Sequence, residues 1–333
     1  MPRPLNGLVR GKAAPASDRR DGVDHRSARS SLMAATTGIS YACATVNFVI
    51  GCTPVGPGCD GCYAAAFAFQ KWRIVFEVGG ERRPTKVAFQ DPLRWHKARM
   101  AGRSTMVVDG KTVLLPLWIF ACSLSDFFDN EWPDGLRNRA WAIIRNTPSL
   151  RWMLFTKRIG NAPKMLPADW GDGSDYQHVG IVATTVNQFE LDRDADKIRR
   201  MKFDFGLKWA GLSIEPQLDM IDINGILPDV DWVISGGESK QSGHLPRPYD
   251  LAWTRSLLRQ CRSASRPVPF WQKQMGDAPF EFGKPLSFPG KGDDPEYWPL
   301  DLRVQERPRI YDEQTLAPPY RCAGTTDLFG ESA

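Results

Sequence analysis

The chain has 333 residues, 42% of them hydrophobic and 24% charged, and its formal net charge is +5. This composition is typical of a globular protein, and no apolar run approaches the roughly 20 residues that a membrane-spanning helix needs. The first residues lack the apolar core of a secretory signal, so we expect a cytoplasmic protein with reduced thiols and no membrane contact.

The chain divides into three parts by composition. Residues 1–35 contain many Pro, Gly, Ser and Arg residues and few large apolar ones. Such a segment buries too little apolar surface to offset the entropy lost on ordering, so we predict a flexible basic tail. Residues 36–276 alternate apolar runs with amphipathic segments and predict the main domain. Residues 277–333 are rich in Pro, Gly and charge and predict an irregular C-terminal extension.

Short apolar runs predict buried strands, and amphipathic segments between them predict helices. The predicted strands are 41–50, 86–89, 115–122, 152–155, 178–183, 207–212, 232–235 and 268–271. The predicted helices are 62–72, 92–99, 133–146, 161–165, 188–201 and 251–264. This alternation predicts an α/β fold with parallel strands, and the number of strands favours a full or partial (β/α) barrel of the TIM type. A doubly wound open sheet is the alternative, although no G-x-G-x-x-G follows a strand.

Three cysteines, Cys52, Cys59 and Cys62, lie in one loop rich in Gly and Pro with the spacing C-x6-C-x2-C. Thiolates on a loop without bulky side chains suit a soft metal, and three of them leave one iron of a four-iron cluster open to another ligand. S-adenosylmethionine is a ligand that can occupy this iron. A zinc site completed by Cys43 or by an outside residue is the alternative, but structural zinc sites usually contain two C-x2-C pairs.

Polar side chains follow several predicted strands, at the edge where a parallel barrel forms its active site. Cations at 157 and 158 could hold a carboxylate or phosphate, and the glycine pair at 236 and 237 would let a ligand approach the backbone. Ordinary structural roles are the alternatives: a helix cap for Asp126, a solvated helix start at 157, and loop carboxylates at 215 and 238. We predict that the catalytic residues are Lys157, Arg158, Glu215 and Lys273.

Six segments occur in order between residues 37 and 280. They are VNFVIGCTPVGPGCDGCYA (46–64), FACSLSDFFD (120–129), LFTKR (154–158), LSIEP (212–216), WVISGGES (232–239) and FWQKQMG (270–276). Together these segments resemble the three-Cys-motif proteins of phages and bacterial mobile elements, which are relatives of radical S-adenosylmethionine enzymes. Most radical enzymes of that kind have the spacing C-x3-C-x2-C and an aromatic residue before the last cysteine, where this chain has Gly61.

The resemblance implies a [4Fe–4S] cluster on Cys52, Cys59 and Cys62, with S-adenosylmethionine on the fourth iron. Reductive cleavage would give a 5′-deoxyadenosyl radical that abstracts a substrate hydrogen. By analogy with such enzymes, the expected cofactor-binding residues are Ser123, Ser125, Asp126, Gly236, Gly237 and Glu238. A phage setting and the mild positive charge make a nucleoside or nucleic acid the expected substrate, and a partner protein could complete the site. The alternative is a zinc- or cluster-stabilised, nucleic-acid-associated binding protein without radical chemistry.

Overall fold

The computed structural model describes residues 37–108 and 111–308; the predicted tail and the end of the predicted extension lie outside them. The strands are β1 (Ala44–Val46), β2 (Val49–Ile50), β3 (Arg83–Pro84), β4 (Thr105–Val108), β5 (Lys111–Leu114), β6 (Trp118–Ala121), β7 (Arg151–Thr156), β8 (Val179–Thr184), β9 (Trp209–Ile214), β10 (Trp232–Ser235), β11 (Tyr249–Asp250), β12 (Phe270–Gln272), β13 (Pro279–Glu281) and β14 (Lys284–Pro285). The helices are α1 (Tyr63–Trp72), α2 (Asp91–Met100), α3 (Leu136–Arg145), α4 (Ala162–Met165), α5 (Gln188–Phe203) and α6 (Leu251–Ser263).

Seven strands form one parallel sheet that curls into a half-barrel, in the order β1-β6-β7-β8-β9-β10-β12. Strand neighbours follow chain order around the sheet, so it has no switch point of the kind that defines a doubly wound sheet. The predicted partial barrel is therefore confirmed. The segment 304–306 lies beside β12: the Gln272 backbone N–H donates to the carbonyl of Val304 at 2.8 Å, and that of Glu306 to Phe270 at 2.9 Å. These bonds satisfy the edge of the sheet.

Local sequence signals account for the helix starts. The Asn187 side chain accepts a hydrogen bond from the backbone N–H of Glu190 at the start of α5, and Asp250 does the same for Ala252 in α6. Both are N-caps that occupy donors without an intrahelical partner. Pro92 stands in the first turn of α2, where its missing N–H costs nothing. No helix of the described residues is long and apolar enough to span a membrane.

The sequence predicted some boundaries wrongly. The predicted strand 86–89 is a turn of 3-10 helix, Val87–Phe89, closed by hydrogen bonds from Phe89 to Lys86 and from Gln90 to Val87. The run is apolar because it packs against the core, where the centroid of the Phe89 ring lies 5.2 Å from that of Phe48. The predicted strand 41–50 is two short strands, because β1 pairs with β6 whereas β2 pairs antiparallel with β3.

The predicted C-terminal extension is more regular than expected. Strands β13 and β14 pair with each other, and β13 also pairs in parallel with β11, so the extension contains part of a second sheet. Trp298 and Leu302 from the same extension are buried against Tyr249 and Met275. The prediction missed these few buried side chains because residues 277–308 have a low apolar content overall.

The two faces of the half-barrel bury different kinds of side chain. Residues alternate along each strand, so Ile119 and Ala121 of β6 point to the helices while Trp118 and Phe120 point inward. The inner face carries what we call the aromatic plug: Tyr41, Trp118, Phe120, Phe155, Trp209, Trp232 and Trp271. Three of its four tryptophans begin their strands and the fourth is the second residue of β12, so the plug fills the amino side and leaves the carboxyl side open.

Gly180 of β8 makes room for this plug. A Cβ at this position would lie 1.9 Å from an atom of the Trp209 indole ring. We expect Gly180→Ala to lower the free energy of unfolding by about 1–3 kcal/mol, because an overpacked core must shift rigid side chains. The measurement is equilibrium urea denaturation. Gly225→Ala is the control, since its Cβ would meet no atom within 4 Å. Equal midpoints for the two variants would contradict this account of the plug.

Candidate active site

A cavity of about 470 Å³ opens at the carboxyl ends of the strands, above the aromatic plug. Its wall contains most of the predicted site residues: Cys52, Cys59, Cys62, Ser123, Ser125, Asp126, Lys157, Arg158, Glu215 and Lys273. The structure therefore brings together side chains from the cysteine loop and from the ends of β6, β7, β9 and β12. Gly236, Gly237 and Glu238 do not line the cavity. Residues that the sequence analysis did not select also line it: Tyr41, Tyr63, Thr184, Gln241 and His244.

The cysteine loop begins directly after β2. Gly51 has φ = +118°, and a Cβ there would lie 2.1 Å from the carbonyl oxygen of Glu81, so only glycine fits. The loop ends at Cys62, the N-cap residue of α1, which places that thiol near the positive end of the helix dipole. Burial raises the pKa of the Cys52 thiol to about 12 and also raises the pKa of Cys62.

The donor set of this loop fits an iron–sulfur cluster by its chemistry. Its three thiols are soft ligands, they are reduced, and they share the wall of one cavity. Within residues 37–108 and 111–308, however, no three His, Cys, Asp or Glu side chains are arranged as a metal site. Cys43 lies at the other end of the strands, since its N–H bonds the carbonyl of Trp118 at the start of β6. It therefore cannot complete a zinc site with the loop.

A buried ion pair holds the first cysteine. The Arg158 guanidinium lies 3.2 Å from the Asp126 carboxylate, and both side chains are 8% exposed. Arg158 also donates to the Cys52 thiol at 3.5 Å and to the carbonyl of Thr53. Asp126 further accepts hydrogen bonds from the Thr156 hydroxyl at 2.8 Å and from the backbone N–H of Lys157 at 3.0 Å. These contacts occupy Asp126, whose predicted role in cofactor binding remains a prediction.

A second arginine supports the same part of the loop from beneath. Arg82 donates to the Thr53 hydroxyl at 2.5 Å and pairs with Asp129 at 2.7 Å and Glu131 at 2.7 Å. Asp129 and Arg82 are almost completely buried. Cys52 is thus fixed through its neighbour Thr53 by two arginines. The sequence analysis did not select Arg82, because nothing local connects it to a residue 29 positions earlier.

Four polar groups meet on the floor of the cavity. The Lys273 ammonium lies 2.9 Å from Glu215 Oε1, while Glu215 Oε2 accepts from the Ser213 hydroxyl at 3.0 Å and from the Tyr41 hydroxyl at 3.4 Å. Burial, together with the Glu215 charge, raises the pKa of Tyr41 well above its usual value. Tyr41 also stacks on Phe155 at 5.2 Å, so it joins the aromatic plug to the polar floor. The signal that could have identified Tyr41 is its position: it begins the first predicted strand, 41–50, and combines an aromatic ring with a hydroxyl group.

The segment after β10 lies behind the cavity wall. A Cβ on Gly237 would lie 2.3 Å from the carbonyl oxygen of Met275, so this glycine allows close packing on the segment that follows β12. The Glu238 carboxylate accepts from Arg247 Nε at 2.9 Å, and its other oxygen lies 2.5 Å from an Arg247 terminal nitrogen. Burial acts to raise the pKa of Glu238, but the hydrogen bonds from Arg247 outweigh it and hold the pKa below its usual value. The predicted cofactor contacts of Gly236, Gly237 and Glu238 remain predictions.

One protein-family model, described as "Protein of unknown function (DUF5131)", matches residues 36–304. The chain belongs to the DUF5131 family. The matched residues include the whole half-barrel, the cysteine loop and every side chain that lines the cavity. Neither a curated protein nor a solved structure matches the chain. The DUF5131 match therefore defines the family without assigning an activity.

The Asp126–Arg158 pair of this DUF5131 protein gives a stability prediction. Asp126→Asn removes the nearer of the two carboxylates beside a buried guanidinium and leaves Asp129 at 3.9 Å, so we expect the free energy of unfolding to fall by about 3 kcal/mol. Chemical denaturation measures the change. Asp196→Asn is the control, because the Asp196 side chain is 87% exposed in its pair with Arg199. A loss no larger than that of the control would show that the buried pair does not stabilise the fold.

Proposed function

We propose that this protein is a radical S-adenosylmethionine-type enzyme of phage or mobile-element origin, with a [4Fe–4S] cluster held by Cys52, Cys59 and Cys62. The observation that carries the proposal is the shared cavity: three thiols of one loop line it together with cations and a carboxylate from the strand ends. The cluster and S-adenosylmethionine, when bound, would supply a 5′-deoxyadenosyl radical that removes a hydrogen atom from the substrate.

The residues of the chain would bind and orient the reactants. The Lys157 ammonium lines the cavity and makes no ion pair within the described part of the chain, so it is available for a carboxylate such as that of S-adenosylmethionine. Glu215 and Lys273, already held by Ser213 and by each other, present a fixed acceptor and donor to a polar group of the substrate. The rings of Phe120 and Phe155 make part of the wall apolar, which excludes water from a reactive centre.

Anaerobic reconstitution with iron and sulfide, followed by dithionite and S-adenosylmethionine, tests the proposal. We expect cluster absorbance and release of 5′-deoxyadenosine from the native chain, and neither from Cys59→Ala. Cys261→Ala is the matched control, because Cys261 is a buried thiol of α6 outside the cavity. Zinc without a cluster would overturn the proposal. A cluster without deoxyadenosine, with or without candidate substrates, would favour the structural alternative in a binding protein.

For the substrate, we propose a nucleoside presented within single-stranded nucleic acid. A cavity of about 470 Å³ is near the lower end of the range for one drug-sized ligand, so the cofactor would leave little enclosed space. The substrate would then contact the rim, where three of the lining apolar side chains are 43% to 48% exposed: Tyr63, Phe69 and Val75. The Arg73 guanidinium lies 5.2 Å from the Phe69 ring. Exposed rings beside cations are the means by which proteins bind single strands.

Phe69 provides a test of the substrate class. We expect Phe69→Ala to weaken binding of a fluorescent single-stranded oligothymidine about tenfold, because stacking of one base on an aromatic ring contributes about 1–3 kcal/mol. Fluorescence anisotropy measures the dissociation constant. Phe203→Ala is the control, since Phe203 is 70% exposed but ends α5, at the opposite end of the barrel. Equal affinities for both variants, or no binding by the native chain, would exclude this role for the rim.

A further inference from the structure

Arg247 contacts the second half of the cysteine loop. One terminal nitrogen of its guanidinium donates to the carbonyl of Pro57 at 2.9 Å and lies 3.2 Å from the Asp60 carboxylate. Its other nitrogens donate to Glu238, which also accepts the backbone N–H of Arg247 at 2.8 Å. Glu238 is 5% exposed, so this acceptor is fixed in the protein interior behind the cavity wall. A rigid guanidinium with several donors is suited to joining two such partners.

Gly61 shows how closely the cysteine loop packs against Glu238 and His244. A Cβ at Gly61 would lie 2.5 Å from Glu238 Oε1 and 2.6 Å from the His244 ring. A side chain at Gly61, the residue just before Cys62, would therefore displace the ends of the Glu238 and His244 side chains. The Glu238 carboxylate, which the sequence predicts to bind a cofactor, lies directly beneath the cysteine loop.

We propose that Arg247, oriented by Glu238, is a positioning residue that holds the Cys59–Cys62 half of the loop against the cavity. The assignment of this half to cluster binding rests on the proposed function. Cys52 has its own supports, Arg158 and Arg82. In the part of the chain that the structure describes, neither arginine forms a hydrogen bond or ion pair with Pro57 or Asp60. Loss of Arg247 should therefore free Cys59 and Cys62 and leave Cys52 as it is.

The first measurement needs no metal. The reduced, metal-free full chain is treated with iodoacetamide, and the alkylation rate of each cysteine is followed by mass spectrometry. We expect Arg247→Ala to raise the rates at Cys59 and Cys62 severalfold while the rate at Cys52 stays the same. Arg255→Ala is the matched control: its side chain is 23% exposed against 26% for Arg247, and it pairs with Glu281 and Asp301 away from the loop. The control should change none of these rates.

The second measurement is iron per chain after reconstitution. We expect a lower iron content for Arg247→Ala at an unchanged melting temperature, and an intermediate content for Arg247→Lys, which keeps the charge but not the paired donors. Glu238→Gln is a second variant should Arg247→Ala fail to fold, and we expect the same site-selective alkylation from it. A uniform rise at all three cysteines, or none, would overturn the positioning role. A native chain that takes up no iron would overturn the proposed function, while the alkylation rates would still decide the role of Arg247.

Discussion

The carboxylate of Asp126 connects the segments that form the cavity. It receives hydrogen bonds from the end of β7, through Thr156 and Lys157, and it pairs with Arg158, which in turn contacts Cys52 and Thr53. The loop after β6, the end of β7 and the cysteine loop are therefore held by one buried ion pair. Such a pair adds little stability over an apolar replacement, but breaking it leaves a buried charge with only a more distant partner, Asp129 at 3.9 Å from Arg158. The position of the first cysteine thus depends on the same interaction that joins the loop after β6 to the end of β7.

The sequence was sufficient to predict many of the residues that meet at the cavity, but not what each side chain contacts. Parallel strands in chain order place their carboxyl ends at one edge, and Lys157, Glu215 and Lys273 lie there as that rule predicts. Their partners come from distant parts of the chain: 190 residues separate Arg247 from Pro57. No local pattern distinguishes a free carboxylate from one occupied by a distant arginine. The apolar content of residues 86–89 also predicted the wrong element, a strand, because a turn of 3-10 helix can bury a short apolar run as well as a strand can.

The aromatic plug explains how an open half-barrel has a filled interior. The eight strands of a closed (β/α) barrel would supply layers of mostly branched aliphatic side chains, whereas here large rings reach across the inner face. Gly180 and Gly211 lie on that face and leave space for Trp209 and Val182 of the adjacent strands. Tyr41 occupies the top of this layer, with its ring in the plug and its hydroxyl on Glu215. The plug therefore sets the depth of the cavity as well as the stability of the fold.

The supports of the cysteine loop give a physical reason for its spacing. Arg158 holds Cys52 from the end of β7, whereas Glu238, which follows β10, holds the other half through Arg247. Two strands, β8 and β9, lie between β7 and β10 in the sheet, so the two supports stand at different positions along the rim. The six residues between Cys52 and Cys59 give the loop enough length to contact both supports, and Gly61 allows the contact at the second one.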